Sequence, residues 1–390
     1  MNLKNIQFVA KTFYGLEEVL ASELREISES VEIQNRAVLF TGNLETLYRA
    51  NIALRTALTV LMPIDNFKVI NEDDLYQKIK RIDWIKIFDV NHTFSVDSVV
   101  YSKTFTHSKF IALKTKDAIV DLFREKLGKR PDVNVENPDI KIHIHISENH
   151  CSVLLDSSGI SLHKRGYRTE TLDAPLNEVL AAGMVYLSGW DKKETFIDPM
   201  CGSGTIPIEA AMIAANIPPN IDRRYFCFQK WKDYDESLFE AIKTEYISNI
   251  KPLEAKIYAS DNDPLATRLA KNNLSRVYNS EKLEIILRTK SFIELEIPYE
   301  NGILIMNPPF GERLKQENIS DFYNQIGTKL KHDCAGYKAW ILSANFEALK
   351  CIGLKPSKKK VLYNGALECK FQQYELFKGK RKDNLEGVRN

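Results

Sequence analysis

The residues best suited to chemistry in this 390-residue chain lie where an apolar run stops. Ile303-Leu304-Ile305-Met306 reads as a buried strand, and Asn307-Pro308-Pro309-Phe310-Gly311 follows it directly. Neither proline can donate a ladder hydrogen bond, and the residue before each is pushed into an extended conformation. The chain must therefore leave the sheet as a stiff turn. In an open α/β sheet, ligands bind at the carboxyl ends of the strands. There Asn307 offers a neutral amide oxygen, and the fixed backbone offers the Pro308 carbonyl. Two acceptors aimed at one spot can hold an exocyclic amino group by both its hydrogens. Phe310 adds a flat face on which a base can stack. The same residues also suit a purely structural turn with a core phenylalanine.

A second stretch, Thr195 to Thr205, reads as strand, glycine turn and helix, with Asp198, Gly202 and Gly204 at the turn. Glycines at such a turn let the backbone come close to a cofactor. A dinucleotide fingerprint needs a third glycine three residues on, where Pro207 stands. The turn therefore argues against NAD and for looser nucleoside binding. Ile257–Asp261 reads as the next strand, ending in an acid that can accept both hydroxyls of a ribose. Asp263 and Pro264 then fit an N-cap and a first helical residue. For Asp198, a capping role competes with ligand contact.

These stretches need a sheet to position them. Further strands are expected at 283–287 and 339–343, with helices at 178–188, up to 215, 264–278 and 322–330. Near the end, 360–363 and 366–374 flank Asn364-Gly365, a strong hairpin signal. The expected sheet is thus parallel, finished by an antiparallel pair. Residues 222–250, with Tyr225, Phe226, Phe228, Trp231 and Tyr234, look like an insertion into this half.

The first half alternates short strands (3–10, 31–33, 37–40) with helices (15–27, 44–57), which suggests a small α+β unit. From about residue 66 a helix (73–79) and a strand (93–101, with Phe94, Val96 and Val99 as its buried side) lead into a basic stretch. Lys103, Lys109 and Lys114 head that stretch, with Phe105, His107 and Phe110 interleaved. It suits phosphate contact, and equally a solvated helix face. Strands at 140–146 and 151–156 close the region, and Asp156-Ser157-Ser158-Gly159 is a polar breaker. The resulting division is 1–65, 66–156, a linker at 157–174, and 175–390.

A formal net charge of +2 does not by itself announce a nucleic-acid binder. No apolar run approaches a membrane span, and the N-terminus lacks a signal-peptide core. The six cysteines are scattered without a Cys-x-x-Cys pair or zinc spacing, which fits reduced thiols in the cytoplasm. His143 and His145 alternate with Ile142, Ile144 and Ile146 as a strand with its polar face outward, and lack a third metal ligand.

Asn-Pro-Pro-Phe resembles the catalytic loop of methyltransferases that act on amino groups. Arg165-Gly-Tyr-Arg168, Ala174-Pro-Leu, Asp198-Pro-Met-Cys-Gly-Ser-Gly-Thr205, Asp261, Asn307-Pro-Pro-Phe-Gly-Glu-Arg-Leu314 and Asn364-Gly occur in that order. Together they resemble the THUMP-domain RNA guanine-N2 methyltransferases, of the 23S ribosomal RNA type more closely than the transfer-RNA type. The resemblance implies a Rossmann-like class I methyltransferase domain with a seven-stranded sheet and a terminal antiparallel hairpin. Ferredoxin-like and THUMP domains would precede it and grip structured RNA. S-adenosylmethionine would be the methyl donor. The donor site would comprise Asp198, Pro199, Cys201, Gly202, Gly204, Thr205, Asp261, Asn262 and Ser291. Asn307, Pro308 and Phe310 would hold the target guanine, and Lys103, Lys109, Lys114, Arg165 and Arg168 the RNA, although for Arg165 and Arg168 a structural role in the linker competes equally with RNA contact. Two positions depart from the family: Asn177 stands where a lysine is common, and Thr289-Lys290-Ser291-Phe292 lacks the acid that often reads adenine. Phe292 packing and backbone groups would then hold the adenine.

Guanine N2 is a poor nucleophile, so positioning and aimed dipoles must supply the catalysis. Carbon-5 methylation of a pyrimidine would need a cysteine nucleophile, and Cys201 lies on the cofactor side. DNA adenine-N6 methylation, glutamine methylation of a protein and a non-catalytic RNA-binding role remain as alternatives.

Overall fold

The computed structural model describes residues 5–168, 176–298, 301–309 and 316–378. They form two compact units. One contains Met1–Thr12, Ala21–Leu162 and Arg223–Glu245; the other contains Phe13–Leu20, His163–Asp222 and Tyr246–Asn390.

The first unit is built on one sheet of seven strands: β1 (Ile6–Lys11), β2 (Val31–Gln34), β3 (Ala37–Gly42), β4 (Thr59–Lys68), β5 (Phe94–Tyr101), β6 (Ile140–Ser147) and β7 (His150–Asp156). Their order is β2-β3-β1-β4-β7-β6-β5. β4 runs through the boundary expected at residue 65, so one sheet serves both parts of the N-terminal half. Ile140, Ile142, Ile144 and Ile146 are buried, as their alternation requires. β5 pairs with β6 along its length, with one parallel bridge from Phe94 to Val133, and buries Phe94, but Val99 is 46% exposed. The expectation for Val99 fails because a strand has a period of two: 94 and 96 share a face, and 99 belongs to the other.

The aromatic segment 223–245 interrupts the second unit in sequence, as an insertion would, and belongs to this first unit. Phe228 stacks on Phe226 at 5.1 Å and lies 4.6 Å from Tyr48, and Phe239 meets Tyr48 edge-on at 5.6 Å. Tyr48, from the helix Leu44–Ala53, also accepts the Asp235 N–H at 2.9 Å.

The second unit holds the other sheet: β8 (Thr195–Asp198), β9 (Ile257–Asp261), β10 (Ile285–Thr289), β11 (Gly302–Met306), β12 (Tyr337–Ser343), β13 (Lys358–Asn364) and β14 (Leu367–Glu375). The order is β10-β9-β8-β11-β12-β14-β13, with β14 antiparallel to both neighbours. This is the expected parallel sheet with a terminal hairpin. β10 lies two residues later than expected, because the turn Ser280–Lys282 precedes it. The hairpin turn is also shifted by one residue. Asn364 pairs with Leu367, which leaves Gly365 (φ +65°) and Ala366 as the turn residues. Glycine at the first central position is the type II′ pattern.

The sheet's strand order diverges between β8 and β11: β9 and β10 lie on one side, β12 on the other. All five residues of β11 are buried. It sits tightly against β8, since a Cβ on Gly302 would lie 2.2 Å from the Thr195 carbonyl oxygen. Gly302→Ala is expected to cost about 1–3 kcal/mol through overpacking at backbone atoms that cannot withdraw. Urea unfolding followed by tryptophan fluorescence measures this.

Candidate active site

Both glycine-turn elements start from strand ends. β8 stops at Asp198, and the helix Thr205–Ala214 begins after Gly204. Gly204 has φ +85°, and a Cβ there would sit 2.9 Å from the Ala270 Cβ, so only glycine fits. Gly202 has φ +52° and open space where a side chain would stand, which leaves its backbone approachable. The turn is tied to β9: the Cys201 N–H donates to the Ser260 carbonyl at 2.9 Å, and the Gly202 N–H to Asp261 Oδ2 at 2.9 Å. Asp261 Oδ1 accepts from the Asp263 N–H at 3.0 Å. Asp263 caps the helix Pro264–Leu274 by accepting from the Leu265 N–H, as expected. The Asp261 carboxylate is thus preorganised by the turn it faces.

Asp198 is wholly buried. Its Oδ1 accepts the Met200 N–H at 3.1 Å, and its Oδ2 has no partner. Burial, with the Asp261 carboxylate adding to it, holds this carboxyl well above the ordinary range. A buried, unsatisfied carboxylate oxygen at a strand end is costly and suits a ligand that brings a cation or a donor. Burial first, and then Asp198 and Asp261, also push the Cys201 thiol well up, so a thiolate nucleophile is disfavoured. Thr205 is buried at the start of its helix, and Asn262 is exposed just beyond β9. Ser291 Oγ is engaged within its own turn by Glu294. Phe292 is buried among Ile197, Leu304 and Met306 as a core residue. Asn177 caps the helix Glu178–Ser188 through the Val179 N–H at 2.9 Å.

Across the divergence point, β11 ends at Met306 and the Asn307-Pro308-Pro309 turn begins. Asn307 Oδ1 is buried and has no hydrogen-bond partner among the described residues. The turn is braced from below by a residue that the sequence reading did not single out. Tyr323 Oη donates toward the Pro309 carbonyl at 3.5 Å and shares a 2.8 Å hydrogen bond with Ser343 Oγ at the end of β12. The signal for Tyr323 was its place on the apolar face of the helix Gln316–Asp333, beside Ile319, Ile326 and Leu330. Phe310, the third expected member of this group, lies outside the described residues, as do Glu312 and Arg313.

Two of the five residues expected to meet RNA are corrected. The Arg165 side chain is 1% exposed and lies 3.5 Å from Glu209. Arg168 is 12% exposed, pairs with Glu178 at 2.9 Å and donates to the Leu176 carbonyl at 2.7 Å. Burial lifts the Glu178 carboxyl to about 7, against the pull of Arg168. Both guanidinium groups are interior struts, because buried acids from neighbouring helices claim them. In the first unit Lys103 and Lys109 are exposed, and Lys114 is held by Asp73 at 2.8 Å.

Residues 165–373 match the family of RMKL-like methyltransferase domains. The chain belongs to this family. Residues 69–156 match the THUMP domain, and residues 7–61 the RlmL ferredoxin-like domain. A Synechocystis protein named as a candidate RNA methyltransferase is 38% identical over 95% of this chain and 97% of its own length. The ribosomal RNA large subunit methyltransferase K/L of Vibrio parahaemolyticus is 35% identical over 95% of this chain, which spans only 53% of that longer protein. Among solved structures, the methyltransferase-like protein SMU.472, crystallised with SAH, superposes with a TM-score of 0.86 at 31% identity. That match covers 97% of this chain and 100% of the other. The family membership expected from the motifs is therefore shown, and the fold with it.

In this RMKL-like methyltransferase, the raised carboxyl of Asp198 has a consequence for stability. The folded state keeps its proton where the unfolded chain, with an aspartate pKa of about 4, releases it. The folded state then binds more protons, so stability falls as pH rises above about 4. Asp198→Asn removes this penalty. The variant is expected to be more stable than wild type at pH 7, with the difference closing toward pH 4, in urea unfolding across that range.

Proposed function

We propose that this protein transfers a methyl group from S-adenosylmethionine to the exocyclic N2 of a guanine in 23S ribosomal RNA. The observation that carries the reading is the buried, unpartnered Oδ1 of Asn307, held at a strand end beside the glycine turn. A buried amide acceptor left empty costs about 1–3 kcal/mol, and an amino N–H relieves that cost. The THUMP domain and the RNA-modifying relatives favour RNA over DNA as the source of that amine.

The residues fit the donor. Asp198 Oδ2 awaits a cationic or N–H partner, and the donor carries an ammonium. Gly202 and Gly204 keep the turn free of side chains, and Asp261 presents its carboxylate for the ribose hydroxyls. Pro199, Cys201 and Thr205 would complete the turn, and Asn262 and Ser291 would flank the nucleoside end. Bound S-adenosylmethionine supplies an electron-poor methyl carbon on a good leaving group.

Asn307 Oδ1 accepts one N–H of the guanine amine and the Pro308 carbonyl the other, which favours a pyramidal nitrogen with its lone pair turned to the methyl. Phe310 offers the base a stacking face. The chain contributes position and oriented dipoles, and no protein nucleophile is needed. A guanine paired in a duplex must be flipped out to reach the turn. Lys103 and Lys109 are exposed for phosphate contact in the THUMP part. The bacterial K/L-type relatives point to the cytoplasm as the place of action.

Asn307→Ala is expected to lower methyl transfer at least a hundredfold, while calorimetry shows donor affinity within about twofold of wild type. Wild-type turnover in that variant refutes the reading. Asp261→Ala has the converse signature: donor affinity falls by roughly tenfold or more as two ribose hydrogen bonds are lost. Mass spectrometry of nucleosides from 23S and transfer RNA, with and without the gene, identifies the modified guanine.

A further inference from the structure

β13 is the terminal strand of the catalytic sheet and pairs only with β14. Its entry is Lys355-Pro356-Ser357-Lys358-Lys359-Lys360, and all four lysines are exposed. Among the described residues, no ion pair engages any of them. Some exposed lysines elsewhere have acidic partners, such as Lys350 with Glu347 at 2.8 Å, and others, such as Lys103 and Lys109, have none among the described residues; what marks this stretch is the clustering of four. A chain of net charge +2 thus gathers four unneutralised cations within six residues. Together they make a local positive field at the surface that a polyanion would neutralise.

The register links this edge to the site. Met306, the residue before Asn307, pairs with Ile341; Ile341 pairs with Gln372; and Gln372 pairs with Lys359. Lys359 therefore stands in the same row as the end of β11, three strand spacings away, or about 14 Å. β13 also runs parallel to β11, so Lys360 and the residues after it head toward the same end of the sheet. Beyond them, Tyr363 meets Tyr14, itself 44% exposed, edge-on at 5.7 Å.

We infer that the lysine edge of β13 is a phosphate-binding surface of the catalytic unit, holding the RNA backbone that flanks the nucleotide at Asn307. This rests on the reading of the substrate as RNA. The competing role for edge lysines is to block pairing with a second sheet. One or two suffice for that, and the absence of acidic partners along the run is unexplained by it.

The test measures binding of protein-free 23S ribosomal RNA across a KCl series, without methyl donor, for wild type, for K358Q/K359Q/K360Q and for K358R/K359R/K360R. Circular dichroism checks the fold of each, and single K359E provides a second, less invasive variant. Losing three phosphate contacts should flatten the slope of log affinity against log salt by about 2–3 and weaken binding by roughly tenfold or more at 0.1 M KCl. The arginine variant should match wild type, and K359E should flatten the slope by about 1. In turnover, the glutamine variant should show a raised KM for RNA with kcat unchanged. An unaltered salt slope overturns the inference, as does a glutamine variant that self-associates in sedimentation while its RNA affinity stays at the wild-type value. Failure of wild type itself to bind RNA would instead bring down the substrate assignment, and this inference with it.

Discussion

The catalytic half depends on one missing hydrogen-bond donor. Pro308 and Pro309 carry no N–H, so β11 cannot extend past Met306, and the chain must turn where the sheet's strand order diverges. That places Asn307 at the carboxyl end of a fully buried strand, with an amide oxygen that no group among the described residues satisfies. Tyr323 Oη reaches the Pro309 carbonyl at 3.5 Å and is itself hydrogen-bonded to Ser343 Oγ, which braces the turn.

The donor side follows the same logic with opposite chemistry. Gly202 and Gly204 let the backbone fold back on β9, and Asp261 ties that fold by accepting the Gly202 N–H. Asp198 has one carboxylate oxygen held by Met200 and the other left unsatisfied in the interior. Both orphaned oxygens, an amide and a carboxyl, sit at the ends of adjacent strands β11 and β8. Other buried polar atoms of this unit also lack a partner among the described residues, such as Glu209 Oε2, Asn273 Oδ1 and Trp340 Nε1. Arg168, by contrast, is claimed by Glu178 and the Leu176 carbonyl. What sets Asp198 and Asn307 apart is their place at the ends of adjacent strands.

The division of the chain in space differs from its division in sequence. Residues 13–20 belong to the catalytic unit, where Leu16 fills the space that a side chain on Gly183 would need. Residues 223–245 belong to the other unit, where their aromatics close around Tyr48. Local pattern marked 222–250 as foreign to the α/β alternation but had no means of finding its partner, because Tyr48 is far away along the chain.

What the sequence determined alone was everything governed by covalent geometry and short-range periodicity. The prolines ended β11, the glycines made the turn, Asp263 and Pro264 started a helix, and Asn364-Gly365 announced a hairpin. These depend on φ, on a missing donor or on alternation, and each is legible within a few residues. Only the tertiary structure decided which polar groups would find partners. It buried Arg165 and Arg168 against acids from other helices, exposed Val99 on an edge strand, and recruited Tyr323 to brace the turn. It also left Asn307 and Asp198 each with an oxygen unmet. A charge's partner is set by where distant segments pack, and no local pattern carries that information.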